Sequence, residues 1–418
     1  MPLTAVGGRV AGGPLGQPAA GGRERRLRCA LVEKAAELGF TGLGVTGASP
    51  LPEWDSEVRR RVRAGMISPE QYERYFRRLV GEPKGIMPSA ASILVLARPF
   101  KPYALPLPNG MAGYSAYYRA YPEAREAAQH LAAALERAGV RAVLQPRLPS
   151  KALAVRAGLG SYGKNSLIYR QESGSFISLQ VIVIDVPLAS DAEAEQEALT
   201  PATTCECGGC VACVRACPTG AIQPGGALDV SRCVRAYMNS GRVVPIELRR
   251  AYGTSILGCD ACQRCCPRNA VAVKNAVAPP DEDAEIFSLA GILGDDAGGR
   301  RARLARMAEV IGPNYSRENR IVADAAIAAG NTKDPVLLAP LGLALQHPHV
   351  PVRAHAAWAI GEIGGRAAAR LLEKALAAET DDLVRREAKM ALEKALAGGT
   401  EPGPRSPRIT ESTGQLAR

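Results

Sequence analysis

Eight of the eleven cysteines stand in two runs that leave the chain around them little freedom. The first run is Cys207-x2-Cys210-x2-Cys213-x3-Cys217-Pro218, and the second is Cys233 followed by Cys259-x2-Cys262-x3-Cys266-Pro267. Three thiolates at two-residue spacing wrap one iron–sulfur cube, and the fourth, placed before proline, ligates the other cube in two-cluster ferredoxins. Crossing the ligands in this way gives one [4Fe–4S] cluster Cys207, Cys210, Cys213 and Cys266. The other cluster takes Cys217, Cys233, Cys259 and Cys262. Structural zinc is commonly closed by one or two CxxC pairs, and CxxCxxCxxxCP is not a usual zinc spacing. Cys205 and Cys265 lie outside the scheme, and because Cys265 adjoins Cys266 a one-residue swap of ligand stays open. A chain that carries two adjacent clusters moves electrons.

Cysteine is confined to Cys205–Cys266 apart from Cys29, which fits metal ligation in a reducing compartment and argues against a disulfide framework. No stretch approaches the roughly 18 apolar residues of a membrane span, so no membrane partner is expected. Met1 to Gly22 is rich in Gly, Ala and Pro and lacks the apolar run of a secretory signal. Residues 1–25 therefore read as a disordered extension, and the expected location is cytoplasmic. The formal net charge of +11 favours an anionic partner such as nucleic acid. An arginine-rich composition that goes with abundant Ala and Gly accounts for the charge equally well.

Hydrophobic periodicity divides the rest. Arg26–Phe40 and Glu123–Ala138 have helical spacing, each with a glycine near its end, while Ser92–Ala97, Val140–Leu144 and the run within Gly174–Pro187 read as strands. This alternation predicts an α/β or α+β domain over 26–195, followed by the cluster module over 196–275. A Pro-, Asp- and Gly-rich stretch opens a connecting segment over 276–316. Val352–Ile360 then recurs 32 residues later as Val384–Leu392, with helices Leu338–Leu345 and Leu371–Ala378 before them and a weaker copy at Asn319–Gly330. Paired helices at that period predict a short HEAT-like solenoid over 317–397, with an ordinary helical bundle as the alternative. Residues 398–418 read as a disordered tail. The fold expected is α+β, with a two-cluster ferredoxin-like module and a C-terminal α-solenoid.

The order of parts resembles the epoxyqueuosine reductase family. Cys207–Cys217 leads into Pro218-Thr219-Gly220-Ala221-Ile222, and an Asp-x-x-Arg-Cys approach stands at Asp229–Cys233. The family's GCDxCQxxCPxN signature is similar to Gly258–Asn269, and its AGLGxxGKN loop to Ala157–Asn165. Gly174-Ser175-Phe176, Asp185–Leu188 and Ala325–Asn331 also match. The resemblance covers about residues 30–395. It implies an oxidoreductase with two [4Fe–4S] clusters and cobalamin, acting on epoxyqueuosine in tRNA. It also implies a flavodoxin- or ferredoxin-type electron donor and a HEAT tail that contacts tRNA. The domain over 26–195 would hold the corrinoid, with Gly163, Lys164 and Asn165 as its expected contacts: glycine admits close backbone approach, and Lys and Asn supply donors. Arg353, Arg385 and Arg386 are candidate phosphate contacts. The four histidines, His130, His347, His349 and His355, sit in helical or repeat segments, in keeping with a family that binds cobalamin without a histidine ligand to cobalt.

One departure matters. The family's proton-donating aspartate belongs to a DSAPVLEK-like stretch before the AGLG loop, which here reads Gln145–Ala154, and residues 138–171 contain no Asp or Glu. The usual DYH segment is replaced by Tyr114–Arg119. The catalytic acid is therefore unknown from sequence. Tyr162, Tyr114, Tyr117 and Tyr118 are the substitutes, with Arg147 or Lys151 to steady a phenolate. The same departure leaves two further expectations open: a related reductase acting on another small molecule, or a non-catalytic ferredoxin with a docking tail.

Overall fold

The computed structural model describes residues 20–144, 147–191 and 207–397. The chain forms two compact units, each assembled from three separate stretches. The first takes Met1–Pro102, Arg119–Ser231 and Ala261–Asn275; the second takes Tyr103–Tyr118, Arg232–Asp260 and Ala276–Arg418.

The first unit is built on a four-stranded sheet in the order Gly42–Gly47, Ser92–Pro99, Ile177–Ile184, Ala142–Leu144, with every neighbour antiparallel. That pairing makes the unit α+β. The central strand Ser92–Pro99 is apolar on both faces because both are covered. On one face Ile93, Val95, Val181 and Val183 pack with Leu153 and Val155 of the helix Ser150–Arg156. On the other, Leu94, Leu96 and Ile182 meet Leu31 and Ala35 of the helix Ala20–Glu37 and Ala128, Leu131 and Leu135 of the helix Tyr117–Arg137. Gly44 permits the first of these contacts, since a Cβ there would stand 2.7 Å from the Ala157 carbonyl oxygen. The N-terminal helix starts at Ala20, six residues before the expected boundary. The remainder of the expected N-terminal extension and the 398–418 tail lie outside the described residues, as do Cys205, Gln145 and Pro146.

In the second unit, the helices Glu318–Thr332, Val350–Ile363 and Asp382–Ala397 stack in sequence, with Leu338–Ala344 and Gly365–Ala378 beside them. The stacking is close because each contact has a glycine. A Cβ on Gly330 would stand 2.7 Å from Ala359 Cα, and one on Gly361 would stand 2.7 Å from Ala391 Cα. The stretch read as a connecting segment carries three helices, Asp281–Ile286, Leu289–Gly294 and Ala297–Ile311. Phe287, Leu289 and Leu293 are buried there; short helices diluted with Gly and Asp show too little periodicity to be read from sequence.

The inner face of the solenoid grips the segment Arg232–Asp260. His355 Nε2 accepts from Val244 N–H at 2.9 Å while its Nδ1 lies 3.1 Å from the Ala323 carbonyl oxygen. Asn331 donates to the carbonyls of Arg249 and Gly253, both at 2.8 Å, and Asp324 accepts from Asn239 N–H. Arg249, 1% exposed, makes a paired contact with Glu387 at 2.9 and 2.7 Å.

Candidate iron–sulfur centre

The first cluster set gathers in one unit. Cys213, at the start of the short helix Ala212–Ala216, feels the charges of Cys265, Cys207 and Cys266, and Cys265 feels those of Cys266 and Cys210. Cys266, from the second run, is therefore near Cys213 of the first. Burial first, and then the neighbouring thiols, push Cys213 up to about 11. Without a metal, burial and neighbouring thiols thus favour the protonated Cys213, and a bound cluster would relieve this by taking the thiolate as ligand. Cys265 shares the neighbourhood, so the one-residue ambiguity persists in space. Of the second set, Cys217 and Cys262 belong to this unit and Cys233 and Cys259 to the other. Burial works to raise Cys217, but hydrogen bonds from the Thr219 backbone and hydroxyl and from the Ala221 and Ile222 backbones outweigh it and lower its thiol. Ala221 N–H stands 3.2 Å from the sulfur, and such donors also stabilise a reduced cluster. Among the described residues no three His, Cys, Asp or Glu side chains are arranged to hold a single metal ion. A cube asks for something different, one thiolate at each iron corner.

The loop expected to meet a corrin is the tip of a hairpin, Ser161–Tyr162 paired with Ile168–Tyr169. Gly163 N–H donates to Leu167, Ser166 N–H donates to Gly163, and Ser166 adopts a left-handed φ of 59° to close the turn. Lys151 holds the turn by donating to the Ser166 carbonyl at 2.8 Å. Lys164 Nζ donates to the carbonyls of Gly208 and Cys210 at 2.7 and 2.9 Å. Asn165 Nδ2 donates to the Tyr169 hydroxyl at 2.9 Å and the Cys262 carbonyl at 3.3 Å, while its Oδ1 accepts from Leu167 N–H. Gly163 is packed so that a Cβ would stand 2.5 Å from the Tyr169 ring.

Three residues of the sequence motifs, Ser175, Gln263 and Asn269, join the cysteine-bearing and sheet-bearing segments. Asn269 Oδ1 accepts from Ser175 N–H at 2.8 Å, and its amide donates to Ser175 Oγ and the Gln263 carbonyl. Gln263 in turn donates to the Ser175 carbonyl and hydroxyl, both at 3.0 Å. The Cys262–Cys266 loop is thereby tied to the start of strand Ile177–Ile184. Spacing flags these residues, but their partners are almost a hundred positions away.

The candidate acids separate cleanly. Tyr118 is buried against Tyr315 and Tyr117, with Arg235 over its ring. Tyr114 stacks on Phe287, and its hydroxyl joins Tyr103 at 2.8 Å and donates to the buried Asp283 carboxylate. Tyr162 lines a cavity of about 130 Å³ together with Arg61, Lys151, Trp54 and Ser166. Burial drives the Tyr162 phenol up from its usual value, and Arg61 pulls it partway back. Of the expected phosphate contacts, Arg353 is paired with Glu379 at 2.7 Å and Arg385 donates to the Glu379 and Leu376 carbonyls. Arg386 is exposed.

Comparison with known proteins gives two domain matches: a 4Fe-4S double cluster binding domain at residues 206–269 and HEAT repeats at 315–393. Epoxyqueuosine reductase of Bacillus subtilis is 31% identical over 252 residues, covering 60% of this chain and 61% of that protein. The Vibrio cholerae enzyme is 43% identical over 109 residues, 25% of this chain and 27% of its own. The match thus spans about three fifths of the first curated relatives. Among solved structures, an epoxyqueuosine reductase with a tRNA-Tyr epoxyqueuosine-modified stem loop aligns with TM-score 0.76 at 26% identity, over 89% of this chain and 99% of its own. The Bacillus subtilis structure, described with its catalytic aspartate loop swung out of the active site, aligns with TM-score 0.73 at 26% identity, over 88% of this chain and 99% of that one. No helix among the described residues is long and apolar enough to cross a membrane. The double-cluster domain, the HEAT repeats and a fold shared along nearly the full length of the solved enzyme make this chain similar to the epoxyqueuosine reductases.

Proposed function

We propose that this chain reduces epoxyqueuosine to queuosine in tRNA. The crowding of Cys207, Cys213 and Cys266 in one unit, within a fold shared with a tRNA-bound epoxyqueuosine reductase, is the observation that supports this reading best. Loss of the epoxide oxygen as water takes two electrons and two protons: both C–O bonds break and a C=C bond forms. Electrons enter from a flavodoxin- or ferredoxin-type donor through two [4Fe–4S] clusters, on Cys207, Cys210, Cys213 and Cys266 and on Cys217, Cys233, Cys259 and Cys262. Cobalamin, when bound, supplies a strongly reducing metal centre. Residues 26–195 form the reductase domain, 196–275 the cluster module and 317–397 the tRNA-facing repeats. The reaction takes place in the cytoplasm.

No carboxylate stands in 138–171, and Glu57, which lines the same cavity, is held ionised by its bonds to Arg60 and Arg61, so the proton falls to Tyr162. Its cavity of about 130 Å³ is close to the roughly 150 Å³ that admits benzene, so it takes a ring-sized fragment. Arg61 supports the phenolate left after transfer. Tyr114 is less suited, because its proton is already directed at Asp283. The missing carboxylate also supports a second reading, in which the same electron path serves another small substrate. Complementation separates them. A strain lacking its own epoxyqueuosine reductase should regain queuosine in tRNA when it carries this chain, whereas persistent epoxyqueuosine with the protein expressed and iron-loaded turns the account to the second reading.

A further inference from the structure

Lys164 and Asn165 belong to a motif that the family reading associates with the corrin, yet both donate to carbonyls of the cluster module. The Lys164 ammonium reaches two carbonyls that flank and belong to first-cluster ligands, those of Gly208 and Cys210. Asn165 reaches the carbonyl of Cys262, in the second cysteine run, while bonded to Tyr169. The Tyr169 hydroxyl in turn lies within hydrogen-bonding range of Cys266. The hairpin tip therefore touches the first run through Lys164 and the second run through Asn165 and Tyr169, and all of these residues lie in one unit. Its shape suits that use. Gly163 is pressed against the Tyr169 ring, and Lys151 fixes the far side of the turn through Ser166.

We propose that Gly163–Asn165 is a clamp on the cluster loops and that Lys164 is a positioning residue that raises the potential of the cluster held by Cys207, Cys210, Cys213 and Cys266. This rests on the two-cluster reading. An ammonium held on the ligand loop favours the more negative, reduced cluster, and hydrogen bonding and local charge are among the factors that set cluster potentials. The contacts are on the exposed side of the loop, so the effect shrinks as salt screens the charge. The Asn165 contact sets geometry without adding charge.

The test is a redox titration followed by electron paramagnetic resonance on anaerobically prepared holoenzyme, with iron and sulfide counted on the same samples. Lys164→Met should keep both clusters and lower the potential of one of them, with altered g-values for that cluster and a smaller difference from the native enzyme at high salt. Lys164→Arg should restore the native potential. If Lys164→Met loses iron, Lys164→Gln keeps a neutral donor on the loop and should still show the lowered potential. Native potentials for both clusters in Lys164→Met, or in Lys164→Gln where Met loses iron, overturn the proposal. So does a variant whose only change is weaker binding of added cobalamin, which would return the loop to the corrin. A native protein that assembles no clusters at all would defeat the two-cluster reading itself and is recognised separately, by its iron content.

Discussion

Glu387→Ala should be one of the most damaging single changes in the solenoid that leaves every cysteine in place. Arg249 is 1% exposed, and its guanidinium is held by both carboxylate oxygens of Glu387. At about 4 Å two unit charges attract by roughly 4 kcal/mol at an effective dielectric constant near 20. Deleting one partner of a buried pair costs about 3–5 kcal/mol, because the remaining charge has nowhere to go. Two contacts soften the loss: Arg249 Nε donates to the Val244 carbonyl at 2.9 Å, and the guanidinium lies 5.5 Å from the Trp358 ring centre. We therefore expect a loss near 3 kcal/mol, at the lower end of that range. Replacing both residues together, Arg249→Met with Glu387→Leu, should cost less than Glu387→Ala alone. Denaturant unfolding followed by tryptophan fluorescence reads this directly, since Trp358 is one of only two tryptophans and sits beside the pair. A Glu387→Ala protein within about 1 kcal/mol of the native one, as for a surface ion pair, would refute the reasoning.

Two other expectations follow from the same geometry. His355 is fully buried with its titration pushed down to about 3, chiefly by desolvation and then by the charge of Arg249. The unfolded chain therefore binds a proton that the native fold refuses between about pH 6.5 and 3, and stability falls on acidification by about 1.4 kcal/mol per pH unit in that window. His355→Gln should lose that slope between pH 6 and 5, and an unchanged slope would contradict the assignment. Tyr162→Phe should lower turnover about 10²–10⁴-fold, the usual worth of a general acid, with iron content and tRNA binding retained; single-turnover rates at saturating tRNA decide, and a native rate clears Tyr162 of the role.

The parts of this protein that are local in sequence were readable there. Apart from the isolated Cys233, the cysteine runs stand at two- and three-residue spacings, so they needed no structure to be found. The solenoid repeats with a period of 32, and its helices Val350–Ile363 and Asp382–Ala397 lie where Val352–Ile360 and Val384–Leu392 predict them. What spacing cannot convey is the choice of partner. Lys164 reads as an available cation until its carbonyl acceptors, 44 and 46 residues on, come into view. Arg353 reads as a phosphate contact until Glu379 is found beside it. The division into two units, each drawn from three stretches, is equally hidden, because it is decided by contacts between stretches that are not continuous in sequence. Helices of six residues such as Asp281–Ile286 and Leu289–Gly294 are too short for their apolar side to stand out.

The central claim is most directly tested by turnover. Anaerobically purified protein, loaded with cobalamin and reduced, is incubated with epoxyqueuosine-containing tRNA, and the digested nucleosides are analysed by mass spectrometry. Queuosine should appear as epoxyqueuosine disappears, with a mass lower by one oxygen. Full retention of epoxyqueuosine by protein that carries both clusters and cobalamin would contradict the account.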